Sequence, residues 1–192
     1  MPNEELQTIE QQSTSTSSQW TLDFLFTEFQ KESDRAAVIL AASLIDDSLT
    51  QLLKSYFVPN PATRDELFDG PTSPLSNFSA KITLAFRLGL ISAKLCRDLH
   101  IIRAIRNDFA HNIYGSSFED GSVKSRIQAL RASAIFAQRR KPGALMPATP
   151  RGDFLYIAGG MLFIINFKRD HVKALTQASE SGEFVYAEQL DQ

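Results

Sequence analysis

An arginine and a histidine five positions apart, in Arg106-Asn-Asp-Phe-Ala-His111, supply the two groups that cleavage of a phosphodiester needs. Imidazole moves protons near neutral pH, and a guanidinium stabilises negative charge building on phosphorus-bound oxygens, so such a pair can cut RNA without a metal. Helix geometry resists this. Five residues on a regular helix turn the second side chain about 140° from the first. The pair converges only where the helix end distorts or a second subunit supplies one member. The same register puts Arg106 in an apolar stripe, one turn after Ile102 and one turn before Phe109. A guanidinium cannot shed its charge there, so it needs a carboxylate or several carbonyls, and Asp34, Asp46 and Asp47 are the candidate partners. On this structural reading, which outweighs the catalytic one, Arg106 is a buried ion-pair residue and His111 finishes the helix near its negative end. Asn107 lies one turn from His111 on the opposite side, near Arg103 and His100.

Other charged residues qualify as binding candidates. Between Lys124 and Arg151 the bases are Lys124, Arg126, Arg131, Arg139, Arg140, Lys141 and Arg151, with no acid among them. Such runs usually make a solvated face; the functional version is a patch for phosphate or for an acidic protein, centred on Arg139, Arg140 and Lys141. Asp34 and Arg35, at the head of a helix, serve either as cap and ion pair or as binding residues. The binding set is therefore Asp34, Arg35, Asp46, Asn107, Arg139, Arg140 and Lys141. Arg106 and His111 are catalytic only under the nuclease alternative. The histidines at 100, 111 and 171 lack the spacing of metal ligands. There is no P-loop, dinucleotide fingerprint, His-Glu-x-x-His or nucleophile elbow, so no cofactor and no metal are expected.

The elements that must position these residues read as all-α, about six helices in one bundle. The 192 residues are 43% hydrophobic and 22% charged with a net charge of −2, an ordinary globular balance that excludes general polyanion binding. The lone Cys96 excludes an internal disulfide and fits a reducing compartment. Glu4, Glu5 and Glu10 do not suit a secretory leader, and the apolar run from Phe154 to Phe167 is too short to span a membrane, so a cytoplasmic protein is expected. Residues 1–19 read as a disordered tail, 20–180 as the helical domain, and 181–192 as a C-terminal tail. Ser33 or Asp34 caps a central helix that Pro59 and Pro61 stop. A shorter helix runs from Ser76 or Asn77 to Leu88, with Gly89 at its C-terminal turn. Ser92 opens a long helix with Leu95, Leu99, Ile102, Ile105, Phe109 and Ile113 in one stripe, closed by Gly115. A helix over 122–138 and a loop over 141–152 follow. The stretch 154–167 fits a hairpin about Gly159-Gly160 or a helix, with helix preferred because a lone hairpin is marginal.

Several ordered blocks carry a family resemblance. Glu32-Ser-Asp-Arg-Ala-Ala-Val-Ile-Leu-Ala-Ala-Ser-Leu-Ile-Asp-Asp47, Leu67-Phe-Asp-Gly-Pro71, Pro74-Leu-Ser-Asn-Phe-Ser-Ala-Lys-Ile82, Leu88-Gly-Leu-Ile91 and Ile102-Arg-Ala-Ile-Arg-Asn-Asp-Phe-Ala-His111 resemble the MltR family, the mannitol operon repressor-like proteins. The likeness spans about residues 30–140. It implies an all-helical fold and a role in transcription regulation. No DNA-reading element is visible, so direct DNA binding is not expected and control through a protein partner is. The Arg106–His111 pair also resembles the arginine–x4–histidine motif of HEPN domains, which are helical, often dimeric, and include metal-independent ribonucleases. That resemblance implies a homodimer and, in the alternative, RNA as substrate, with Arg106 on the phosphate and His111 as acid and base.

Overall fold

The computed structural model describes residues 27–112, 115–138 and 147–177. Six helices are bounded within them: α1 (Asp34–Tyr56), α2 (Phe78–Arg87), α3 (Ala93–His111), α4 (Gly121–Ser133), α5 (Ile135–Gln138) and α6 (Pro150–His171). No strand occurs among the described residues, and the all-α expectation holds. Residues 20–26 of the expected helical domain, Ile113, Arg139, Arg140, Lys141 and the two proposed tails lie outside the described residues.

The helix starts follow from local chemistry. Ser33, Asn77, Ser92 and Thr149 sit in extended backbone at the N-caps of α1, α2, α3 and α6. Their side chains accept from the N–H groups of Ala36, Ala80, Leu95 and Gly152, which have no partner inside the helix. Pro150 adds its preset φ to the first turn of α6. Gly89, with φ +74°, turns the chain out of α2, where an L side chain would be strained.

α1 is the central helix. Ala37, Val38, Ala41, Ala42, Ile45 and Leu49 are buried along it, against α2, α3 and α6. It is long and apolar enough to cross a membrane by composition alone; half of that apolar window is buried in the bundle core, while Leu40 and Leu44 are exposed. α6 lies parallel to α1: Arg151 at its start pairs with Asp34, and the N–H of Leu175 beyond its end donates to Tyr56 O at 2.8 Å. α3 runs antiparallel to α1, since Arg35 reaches the carbonyl of Asn112 just past the end of α3. Phe118 packs against both Phe109 and Phe154 in tilted geometry, at 5.3 and 5.5 Å between ring centroids.

The 154–167 stretch is one continuous helix. Gly160 serves packing: a Cβ there would lie 2.5 Å from Cζ of Phe136, whose ring rests on this spot. A Cβ on Gly152 would lie 2.0 Å from the carbonyl oxygen of Pro147. Three expected boundaries move. The loop set at 141–152 gives way to helix at Pro150. α3 ends at His111, before Gly115, which has φ +100°. The helix expected over 122–138 breaks at Ala134, where the Gln138 amide donates to the carbonyls of Arg131 and Ala132 at 3.2 and 2.9 Å. That amide satisfies the carbonyls a longer helix would have used.

Candidate functional site

Of the candidate residues, Asp34, Arg35 and His111 lie where the start of α1, the end of α3 and the start of α6 meet, whereas Asp46 lies midway along α1. Arg35 donates to the Asn112 carbonyl, placing a cation at the negative end of the α3 dipole. Asn112 in turn donates from Nδ2 to the carbonyl of Gly115 at 3.2 Å. His111, in the last turn of α3, is exposed, and so is Arg106. Asn107 accepts from Arg106 Nη1 at 3.2 Å.

Arg106 is therefore not the buried ion-pair residue that its register implies. None of Asp34, Asp46 and Asp47 pairs with it, and among the described residues no carboxylate lies within ion-pairing distance of it. The reason is length. α2 and α3 form a tight helical hairpin, but α2 is about 15 Å long and α3 about 28 Å. The last turns of α3 outrun the helix that would have covered Arg106. The acids are taken elsewhere: Asp46 pairs with Lys81 at 2.8 Å, and Asp34 with Arg151.

α3 is helical through His111 and only then extends. Within one chain the Arg106 and His111 side chains thus leave the helix about 140° apart. The two groups sit on one element without facing one substrate.

The described part of the basic run is largely neutralised. Lys124 pairs with Glu119 at 2.8 Å, Arg126 with Asp108, and Arg131 with Asp153 at 3.4 Å. Arg151 does most. One guanidinium nitrogen pairs with Asp34, and the other donates to the carbonyls of Phe29 and Glu32 at 2.6 and 2.7 Å. It ties the chain entering α1 to the first turn of α6.

Sequence reasoning missed Asp98, which is 5% exposed. It accepts from the Ser133 hydroxyl and from Arg97 Nη2 at 3.0 Å, joining the start of α3 to the end of α4. The signal was available: Asp98 lies in the α3 stripe, three residues after Leu95 and four before Ile102. His100 has its imidazole pKa lowered by burial and, secondarily, by the nearby Arg103 charge. Burial raises the pKa of the Cys96 thiol, which favours its protonated form. Among the described residues no three His, Cys, Asp or Glu side chains form a cluster that could hold a metal.

One solved structure shares the architecture. A chain of the X-ray structure of the MtlR–HPr complex from Escherichia coli superposes with a TM-score of 0.55 at 16% sequence identity. The match covers 76% of this chain and 98% of that one. It is a likeness of fold. No family model matches the chain, and no curated protein sequence does.

Proposed function

We propose that this chain is an MltR-like regulatory protein, acting in transcription control by binding a protein partner in the cytoplasm. The observation that supports it most is the fold correspondence with nearly the whole length of a chain from a protein–protein complex. The charged end of the bundle agrees with this reading: its arginines hold helix termini together instead of converging on a substrate. HPr, the protein named in that complex, is the first partner to test. Calorimetric titration of the folded chain with purified HPr should give a Kd tighter than about 10 µM, close to −7 kcal/mol. No heat at tenfold higher concentrations would refute HPr as the partner.

A metal-independent ribonuclease is the alternative, favoured by one observation: Arg106 is exposed and has no carboxylate partner among the described residues. Because His111 points away within the chain, this reading needs a homodimer in which one copy supplies Arg106 and the other His111. Cleavage of labelled RNAs in EDTA, lost in both Arg106→Ala and His111→Ala and restored by mixing the two variants, would establish it. No cleavage by wild type would remove it.

A further inference from the structure

Two adjoining cavities open along the α3 surface, and neither is used by the charged end of the bundle. One, of about 770 Å³, lies between α3 and α4 on a floor of small residues that includes Ala93, Ala129 and Ala132. The other, of about 270 Å³, lies between the start of α3, α5 and the second half of α6, with Phe136, Met161 and Ile164 in its wall. They share Lys94 and Ser133 and so form one trough. Its rim is basic. Lys94 and Lys168 are exposed, neither carries an ion pair among the described residues, and Arg97 lies beside them. The one acid on the lining, Asp98, is buried and already answered by Arg97 and Ser133. An apolar floor with a cationic rim selects a segment carrying aromatic anchors and acidic flanks.

Such a segment follows in the same chain. Residues 178–192 read Ala-Ser-Glu-Ser-Gly-Glu-Phe-Val-Tyr-Ala-Glu-Gln-Leu-Asp-Gln, with acids at Glu180, Glu183, Glu188 and Asp191 and no base. Phe184, Val185, Tyr186 and Leu190 supply the apolar side chains. Beyond Lys168 on the rim, the described chain leaves α6 at His171 and extends toward the end of α1, where the Leu175 N–H is held by the Tyr56 carbonyl. From there 15 further residues reach up to about 50 Å when extended, more than the roughly 33 Å length of α6. We propose that residues 178–192 dock in this trough, with Phe184 and Tyr186 against Phe136, Met161 and Ile164, and with Glu183 and Glu188 toward Lys94 and Lys168. Tethering makes this an intramolecular event at millimolar effective concentration, so weak contacts suffice. Any partner segment using the trough must displace it.

The test is amide hydrogen exchange on the full chain. In wild type the amides of 183–190 should exchange about tenfold slower than a free peptide of the same sequence, independently of protein concentration. Lys94→Glu/Lys168→Glu should abolish the protection, and adding Glu183→Lys/Glu188→Lys to that variant should restore it. Both lysines are exposed, so unchanged circular dichroism and melting certify the fold of each variant. Free-peptide exchange in wild type would overturn the proposal. So would protection that grows with protein concentration, which would mean that a second copy fills the trough, or protection that survives the charge reversal.

Discussion

Replacing Arg151 with alanine is the sharpest probe of how this bundle is assembled. Its guanidinium makes three contacts with residues more than a hundred positions away: the carbonyls of Phe29 and Glu32, and the Asp34 carboxylate. These link the segment entering α1, the start of α1 and the start of α6. A buried hydrogen bond from a charged donor contributes about 1.5–3 kcal/mol. Here the Arg151 side chain is a quarter exposed and the Glu32 carbonyl can be rehydrated, so about 1 kcal/mol for each carbonyl is the better figure. The pair with Asp34, itself 37% exposed, adds about 0.5–1 kcal/mol after solvent screening. Arg151→Ala should therefore cost about 2–3 kcal/mol in urea unfolding and lower the Tm by roughly 5–10 °C. Arg151→Lys keeps the charge but cannot fork, so it should recover less than half of that loss. Lys124→Ala, which removes an exposed pair with Glu119, is the control and should fall within about 0.5 kcal/mol of wild type. An Arg151→Ala protein as stable as that control would refute the claim that this guanidinium fastens the two parallel helices.

Other perturbations separate packing from surface charge. Arg106→Ala should change stability by no more than about 0.5 kcal/mol in thermal melts, because the side chain is exposed and unpaired with any described acid; a loss above 2 kcal/mol would show that it is held after all. Gly152→Ala should destabilise by about 1–3 kcal/mol, since its Cβ meets the Pro147 carbonyl and only backbone movement relieves the clash. Gly160→Ala should be milder, because the ring of Phe136 can swing aside and helix propensity returns about 1 kcal/mol; equal losses at the two sites would contradict this distinction. The lowered pKa of His100 means the unfolded chain binds the proton more readily than the folded one. Stability should then fall as pH drops below the ordinary imidazole range, and His100→Gln should flatten the part of the slope just below pH 6.5.

Helix starts were legible in the sequence because capping is a short-range event: Ser33, Asn77 and Ser92 each act within three residues of themselves. The stripe of α3 was legible for the same reason, apart from Asp98, an acid whose burial depends on Ser133 and Arg97. Gly159-Gly160 could not be resolved from sequence. Two glycines signal a turn when read alone, and only the ring of Phe136, brought in from α5, makes the missing side chain at 160 a packing requirement.

Arg106 fails to follow its register for a related reason, and it bears most on the site. Periodicity reports which face of a helix a residue occupies; it does not report how far the neighbouring helix extends along that face. α2 stops after ten residues, and the edge of the α3 stripe that is core at Leu95 and Leu99 is solvent at Arg106, while Ile105 and Phe109 on its other edge stay buried. An arginine beyond the end of a covering helix needs no buried partner, which leaves Asp34 and Asp46 to Arg151 and Lys81. The same overhang that removes the structural reason for Arg106 puts it within reach of a second molecule. Its function is therefore decided by what meets the end of α3 in solution, and the paired variants Arg106→Ala and His111→Ala, tested separately and mixed, ask that question directly.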